Sequence, residues 1–301
     1  MINRSFFNQT RILDGGMGQE LLARGLPSNS TLWSASAILH EKYNPLVLNT
    51  HIDYIKAGAE IIVTTTFATR QKRLKENNLQ DKFEYLNKKA GEIAINAKKN
   101  FPHVFIAGGL PPQNLTYEAD ERDEKDIIEN LKDQARVLSP YVDFFYFDVW
   151  SSIKEVKCGI EAISEFKKPY LVGIHISEGT HLPSGENISD LKNIINDKAL
   201  GVILSCVSPE NFEKNLYELK SLGIPFGFKL NGFIKTKIKD GYTSVFLGKK
   251  SNPNEFLGKR KDLTPDKIAE IAKKFKEAGA TILGGCCETR PSHIEAMAKL
   301  K

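Results

Sequence analysis

Short apolar segments rich in β-branched and aromatic residues alternate with amphipathic segments along the chain. Each apolar segment is only four to seven residues long, and most have few polar interruptions. Such near-continuous apolar runs are typical of parallel strands that are buried on both faces. The pattern predicts eight strands, at residues 10–14, 60–66, 104–107, 143–148, 170–176, 201–206, 225–230 and 281–285.

Between these predicted strands, apolar residues recur at the three- and four-residue spacing of a helix face. Two helix starts are marked by an N-cap residue followed by proline, at Ser208-Pro209 and Thr264-Pro265. Gly223 and Gly279 stand where helix C-caps are expected. The helical pattern covers residues 86–97, 127–138, 153–163, 212–222 and 268–278.

Eight strands that alternate with helices in 301 residues predict an α/β protein with a single (β/α)8 TIM barrel. We expect one domain, residues 1–301, because no linker or low-complexity segment divides the chain. An open, doubly wound sheet is the main alternative. The longest connection, residues 231–262, follows the seventh strand, and its length is typical of a lid or a binding loop.

Composition narrows the classes of function. The chain has 42 Lys and Arg against 37 Asp and Glu, a dispersed net charge of +5 that does not indicate a nucleic-acid partner. No segment has the 18 apolar residues of a membrane span, and the N-terminus does not resemble a signal peptide. Four cysteines are too few for a disulfide framework. We therefore expect a protein of a reduced, cytoplasmic compartment, with neither nucleic acid nor a membrane as a partner, and the oligomeric state stays open.

Three of the four cysteines fall where a barrel places its active site, at the carboxyl ends of strands. Cys206 ends the sixth predicted strand, and Cys286 and Cys287 directly follow the eighth. These strand ends flank the seventh, so three thiols could hold one zinc ion and leave a fourth position open, as catalytic zinc sites do. Ordinary buried cysteine is the alternative, because free cysteine is among the most buried residue types.

Other strand-end residues could bind an amino-acid substrate. Asp14 and Asp148 end the first and fourth predicted strands, where a carboxylate can hold an ammonium group. Gly15 and Gly16 let backbone N–H groups approach an anion, although Asp14 could simply shape this turn. Trp33 could hold a cation on its ring face or pack in the core.

The remaining candidates have plainer interpretations. Cys158 lies beside the apolar face of a predicted helix and away from any strand end, so we expect it to have no role in the site. His175 ends the fifth strand and is expected to be a hydrogen-bonded core histidine. His293, in the first turn of the last helix, is expected to cap or pack.

With these residues identified, the chain resembles the homocysteine S-methyltransferase family from about Ile12 to Ile294. The strongest motif, Gly-Gly-Cys-Cys-Glu-Thr-Arg-Pro-Ser-His-Ile at residues 284–294, is similar to the family's G-G-C-C-x-T-x-P-x-H-I. Further segments that resemble the family lie at residues 13–18, 32–34, 64–68, 179–185 and 206–209.

This resemblance implies a zinc-dependent barrel that moves a methyl group from a sulfonium or quaternary ammonium donor to the thiol of homocysteine, giving methionine. No catalytic residue beyond the metal site is required. The implied ligands of Zn2+ are Cys206, Cys286 and Cys287. The residues implied to bind homocysteine are Asp14, Gly15, Gly16 and Asp148.

Departures from the family pattern cluster at the barrel mouth, which leaves the methyl donor open. Ser205 replaces the usual asparagine, and Lys229-Leu230-Asn231 replaces a common Tyr-Pro-Asn. We expect Trp33, Lys229 and Asn231 to contribute to the donor site. If Lys229 points into the mouth it could hold a donor carboxylate, and if it points outward it is a solvated lysine.

Two other classes of function compete with the enzyme. One is a zinc-binding barrel that acts as a subunit or sensor without its own donor site. The other is a thiol-redox protein that uses the adjacent pair Cys286 and Cys287, although a disulfide between neighbouring residues is strained.

Overall fold

The computed structural model describes residues 2–29, 31–236 and 257–301 of the chain. Its strands, numbered β1 to β8 in chain order, are short and almost entirely buried. They are Arg11–Ile12, Ile61–Val63, Phe105–Leu110, Phe144–Trp150, Tyr170–Ile174, Ala199–Val207, Phe226–Leu230 and Ile282–Gly285.

Helices cover the outside of these strands. In the described part of the chain the α-helices, numbered α1 to α10, are Met17–Ala23, Ala35–Leu39, Asn44–Lys56, Gln71–Lys75, Phe83–Lys98, Glu124–Leu138, Ile153–Ala162, Pro209–Ser221, Pro265–Glu277 and Pro291–Ala298. None of the described helices is long and apolar enough to cross a membrane.

All neighbouring strands are parallel, and they follow the order β1-β8-β7-β6-β5-β4-β3-β2. A parallel bridge between Leu13 and Ile61 joins the two ends of this order. Backbone bonds from Asp14 N to Ile61 O (3.0 Å) and from Glu60 N to Ile12 O (2.8 Å) extend that seam. The sheet therefore closes into the predicted (β/α)8 barrel, and the open doubly wound alternative is wrong.

The helix starts and ends agree with the sequence signals. Helices α8 and α9 begin at Pro209 and Pro265, and each preceding N-cap side chain accepts a backbone N–H. Gly223 and Gly279 have φ values of +70° and +111°, a region that glycine enters without a Cβ penalty.

Two features of the strands differ from the sequence expectation. Strand β3 does not end before Gly108 and Gly109 but continues through them to Leu110, because both glycines pair with β4. The connection from β5 to β6 contains a 3-10 helix, Ile188–Asn193, in place of the usual α-helix. The first difference follows from pairing with β4, which local sequence does not encode.

The barrel interior below the mouth is apolar. Inward-facing residues from most strands pack there with the N-terminal segment, whose Phe7 is fully buried. Since this lower half is filled, the open space and the polar side chains lie at the carboxyl ends of the strands. The packed residues include Leu13, Ile61, Val63, Ala107, Phe144, Tyr146, Leu171, Ile203 and Ile282.

A buried carboxyl group fixes the start of α7 directly after β4. Glu155 Oε2 accepts hydrogen bonds from Ser151 N (3.1 Å) and Ser152 Oγ (2.8 Å), while Ser152 Oγ accepts from Glu155 N (3.1 Å). Burial raises the pKa of Glu155 to about 8, and these hydrogen bonds lower it only in part. The folded protein therefore holds a proton at Glu155 in a range where the unfolded chain has released it.

This proton makes stability depend on pH. We expect the free energy of unfolding to fall as pH rises from about 4.5 to about 8, since across that range the folded state binds more protons than the unfolded state. Glu155→Gln should flatten this dependence in urea unfolding measured across the range. The exposed residue Glu161 on the same helix offers the control Glu161→Gln, which should keep the wild-type slope. An unchanged slope in Glu155→Gln would contradict the assignment.

Candidate active site and metal centre

Three thiol groups meet at the mouth of the barrel. Cys206 lies near the end of β6, and Cys286 and Cys287 follow β8 immediately. Their Sγ atoms all lie within 4.8 Å of one another, and those of Cys286 and Cys287 are 4.0 Å apart. The prediction that these cysteines converge is therefore confirmed.

The backbone around the thiols adopts uncommon conformations. Cys206 has a φ of 54° and is the extra residue of a bulge, because Ser205 pairs with Lys229 while Val207 already pairs with Leu230. Val149 has a φ of 69° at a similar irregularity in β4. Positive φ is unfavourable for a β-branched residue, and bulges often re-aim side chains beside active sites. These two bulges turn Cys206 and the neighbourhood of Asp148 toward the mouth.

The electrostatics of the three thiols favour a bound cation. Burial raises the pKa of Cys206, but hydrogen bonds from Cys286, Cys287 and Tyr117 outweigh it and hold that pKa well below its usual value. The pKa values of Cys286 and Cys287 are raised, chiefly by their hydrogen bonds to the Cys206 sulfur. One ionised thiol thus opposes ionisation of the other two, as expected of interacting sites.

The sulfur positions fit a tetrahedral metal ion. Zn–S bonds of about 2.3 Å at tetrahedral angles place sulfur atoms roughly 3.8 Å apart. The 4.0 Å separation of Cys286 and Cys287 and the 4.8 Å limit for the trio are slightly wider than that. A divalent cation would need only a small contraction and would remove the repulsion among the thiolates.

Two side chains hold Cys206 in place. Asn231 Nδ2 donates to Cys206 O (2.5 Å) and lies 3.8 Å from its Sγ, while Asn231 Oδ1 accepts from Phe233 N (3.3 Å). Both ends of this buried amide are engaged, so Asn231 helps to hold Cys206 in place. The Tyr117 hydroxyl lies 3.2 Å from Cys206 Sγ. Tyr117 was missed from the sequence because it lies in a polar loop after β3 without any motif.

The histidines behave as expected. His175 shares hydrogen bonds with Ser205 O (3.0 Å) and Ser177 Oγ (2.7 Å), and burial lowers its pKa to about 4. Its ring also packs against Tyr117, with centroids 4.4 Å apart, so it supports the residue that contacts Cys206. His293 Nδ1 accepts from Arg290 N (3.1 Å), which confirms a capping role.

Glycines bring the end of β1 against the end of β8. A Cβ at Gly16 would lie 2.5 Å from Cys286 O, and one at Gly15 would lie 2.8 Å from the ring of Tyr54. The Gly16 N–H donates to Thr289 O (3.1 Å). These contacts leave no room for a side chain at either position, so the two glycines allow the Cys286 backbone to lie beside Asp14.

Lys229 points into the barrel, which settles the question that the sequence left open. Its ammonium lies 2.8 Å from Asp14 Oδ1, and both side chains are less than a tenth exposed. The other oxygen, Asp14 Oδ2, accepts from Val63 N (2.8 Å). Lys229 Nζ also lies 5.7 Å from the centre of the Tyr146 ring. The solvated-lysine interpretation is therefore wrong.

Asp148 is the second acid of the mouth. Burial raises its pKa to about 7, opposed by the positive charge of Lys229 and a hydrogen bond from Tyr146. The Tyr146 hydroxyl also bonds to Ser205 Oγ (2.5 Å). Asp148 therefore lies in a polar layer that crosses the barrel from β4 to β6.

An apolar and aromatic wall borders the thiols. Trp33 has a φ of 45°, and its ring meets that of Phe67 edge-on with centroids 6.1 Å apart. Its indole packs directly over Gly18, where a Cβ would lie 2.3 Å from the ring. Among the described residues its buried Nε1 has no hydrogen-bond partner. The wall comprises Trp33, Phe67, Tyr117, Val149, Phe233 and Leu257.

The two ends of the long connection after β7 also reach this wall. Phe233 forms an antiparallel bridge with Lys259, and Phe233 and Leu257 are buried against the cysteines. The expectation of a lid falls mostly on residues 237–256, which lie outside the described residues. Cys158, by contrast, is buried in the core along α7, and burial raises its pKa to about 11.

The fold and the site define a closed parallel barrel with three convergent thiols at its mouth, a cluster that could hold a metal ion. The model of the homocysteine S-methyltransferase family matches residues 11–300 of this chain. The chain therefore belongs to the homocysteine S-methyltransferase family, as the sequence motifs predicted.

Relatives and solved structures agree with this assignment. Homocysteine S-methyltransferase 1 of Zea mays is 26% identical over 96% of this chain and 93% of its own length. Selenocysteine Se-methyltransferase of Brassica oleracea var. italica is 25% identical over 96% of this chain and 88% of its own length. The metallated form of the homocysteine methyltransferase MmuM from Escherichia coli superposes with a TM-score of 0.79. At 20% identity, the match covers 97% of this chain and 96% of that one, and it supports the barrel fold.

Proposed function

We propose that this protein transfers a methyl group from an onium donor to the thiol of homocysteine, and that Cys206, Cys286 and Cys287 hold Zn2+. The observation that carries the proposal is the convergence of three thiols within 4.8 Å at the mouth of a barrel of this family. A sensor or subunit without chemistry of its own is not favoured, because the family is one of methyltransferases.

Zinc held by cysteinates supplies a site that favours the deprotonated form of a thiol, whose free pKa near 8.5 leaves little thiolate at neutral pH. The chain's own residues provide the surroundings. Asn231 and Tyr117 hold Cys206 in position, and the wall from Trp33 to Leu257 packs against the thiols. Rate enhancement then depends on bringing the sulfur and the donor methyl about 3–3.5 Å apart.

The amino-acid end of homocysteine is assigned to Asp14, Gly15, Gly16 and Asp148. Asp148 is the better partner for the substrate ammonium, because the charge of Asp14 is already paired with Lys229 at 2.8 Å. Of the two glycines, Gly16 already donates its amide to Thr289 O. The contribution of Gly16 is therefore the space it leaves beside Cys286.

The donor is assigned to the aromatic side of the mouth. Trp33 offers a ring face to a sulfonium or quaternary ammonium group, an attraction worth about 0.5–2 kcal/mol. A relative named for selenocysteine methylation leaves a selenol acceptor open as well. The four free cysteines favour a reducing compartment, and we propose a cytoplasmic location.

The first test is turnover. Purified protein supplied with zinc and homocysteine should form methionine with at least one onium donor, out of S-methylmethionine, glycine betaine, dimethylsulfoniopropionate and S-adenosylmethionine. Product is measured by mass spectrometry with a donor carrying a deuterated methyl group, so that label in methionine proves transfer. Zinc binding without transfer from any of these donors would favour the sensor or subunit instead.

A second prediction concerns the metal. The wild type should hold about one zinc ion per chain, and Cys206→Ser, Cys286→Ser and Cys287→Ser should each lose most of it, because two thiolates and a hydroxyl bind zinc less well than three thiolates. Metal content after dialysis is measured by plasma mass spectrometry. Cys158→Ser is the matched control and should keep both zinc and activity, since Cys158 lies in the core. Full zinc retention in all three variants would exclude this site.

A third prediction concerns Asp148. Asp148→Asn should weaken homocysteine binding by up to about tenfold, because it turns a charge-assisted hydrogen bond worth roughly 1.5–3 kcal/mol into a neutral one worth roughly 0.5–1.5 kcal/mol. The zinc content and the KM for the donor should stay near wild-type values. Asp143→Asn, at the opposite end of β4, is the control for loss of an acidic side chain. An unchanged KM for homocysteine in Asp148→Asn would remove this residue from the acceptor site.

A further inference from the structure

A buried ammonium group lies at the floor of the barrel mouth, between the two strands that carry the thiols. Lys229 is on β7, and in register it pairs with Ser205 of β6 and Gly284 of β8. Its stem passes so close to β8 that a Cβ at Gly284 would lie 3.2 Å from Lys229 Cγ. A glycine at position 284 therefore leaves the space through which the lysine reaches the centre of the mouth.

Asp14 already has its negative charge balanced by Lys229. Its Oδ1 accepts from Lys229 Nζ (2.8 Å) and its Oδ2 from Val63 N (2.8 Å). A substrate ammonium brought to Asp14 would also meet the like charge of Lys229. The ammonium of an amino-acid substrate is therefore better placed at Asp148, the other acid of the mouth.

Lys229, in contrast, has more N–H donors than it has acceptors among the described residues. An ammonium group carries three N–H donors, and in the described part of the chain Asp14 is its one hydrogen-bond acceptor. A buried cation gains from further acceptors, because each unsatisfied donor costs desolvation free energy. The missing acceptor at this position would be an oxygen of a bound molecule, and a carboxylate is the group that best satisfies an ammonium.

The ion pair is not explained by stability alone. A buried salt bridge contributes little net stabilisation, because desolvation of both charges offsets their attraction. The pair lies beside the acceptor end of the site, since Gly284 and Asp14 adjoin the backbone that leads to Cys286. It is also separate from the aromatic wall at Trp33, which is assigned to the donor.

We propose that Lys229 binds the carboxylate of the acceptor thiol and thereby selects acceptors that carry a carboxylate. Asp14 holds Lys229 in place and is its positioning residue. This inference rests on the proposed function, and it moves Lys229 from the donor site to the acceptor site. We expect the acceptor's carboxylate to contribute more to binding than its ammonium, because Lys229 is more deeply buried than Asp148.

The wild-type protein tests this without any mutation. Zinc-supplied protein is titrated calorimetrically with homocysteine, with 4-mercaptobutyrate, which lacks the ammonium, and with 3-aminopropane-1-thiol, which lacks the carboxylate. We expect 4-mercaptobutyrate to bind within about tenfold of homocysteine. The aminothiol should bind about 10- to 150-fold more weakly than homocysteine, the loss expected of one charge-assisted hydrogen bond. Equal affinities for the two analogues, or a preference for the aminothiol, would overturn the proposal.

Variants of Lys229 show whether this residue binds the acceptor's carboxylate or only maintains the structure of the site. Lys229→Met should weaken homocysteine and 4-mercaptobutyrate but leave the aminothiol unchanged, whereas general damage to the site would weaken all three thiols. The double variant Lys229→Met with Asp14→Asn removes both charges, avoids an unpaired buried carboxylate, and should give the same selectivity. Lys98→Met breaks a comparable Lys–Asp pair at the opposite end of the barrel, with Asp143 at 2.9 Å, and should leave the order of affinities unchanged.

Steady-state kinetics show whether Lys229 acts on the acceptor or on the donor. They also distinguish a failure of this inference from a failure of the proposed function. In Lys229→Met the KM for homocysteine should rise while the KM for the donor stays near the wild-type value. A rise in the donor KM alone would return Lys229 to the donor site and overturn the inference while leaving methyl transfer intact. A wild-type protein that binds none of the three thiols would contradict the proposed function, and the inference would fall with it.

Discussion

The crowding of three thiol groups is the constraint on which the rest of the mouth depends. Sulfur atoms within 4.8 Å cannot all carry charge unless a cation lies between them. The fold nevertheless brings them together, using a left-handed backbone at Cys206 and a tight glycine contact behind Cys286. Strained geometry that persists in a folded protein is concentrated where function requires it, and here it surrounds the thiols.

A second set of charges lies directly beneath the thiols and is arranged around one lysine. Lys229 neutralises Asp14, and its charge lowers a pKa at Asp148 that burial has raised. Strand β7 carries no thiol, yet it supplies this charge between the two strands that do. The thiol cluster and the polar layer therefore lie on neighbouring strands, with Lys229 of β7 between them.

Parts of the site could be predicted because barrel strands end at one face. In an eight-stranded barrel β6 and β8 flank β7, so the strand ends that carry Cys206 and the Cys286-Cys287 pair lie near each other. The helix starts at Pro209 and Pro265 could also be predicted from the sequence, because capping depends on local residues. Tyr117 could not be found this way, since its contact with Cys206 spans 89 positions and its loop carries no pattern.

The sequence by itself determined the barrel, the family and the three thiols, because hydrophobic period, strand count and a dense motif are all local properties. Only the tertiary structure decided that Lys229 points into the barrel and that Asn231 hydrogen-bonds to Cys206. A one-residue bulge in β6 shifts its register with β7, and side-chain direction alternates with every residue of a strand. Pairings of this kind, such as that of Lys229 with Asp14 across 215 positions, follow from the closure of the barrel.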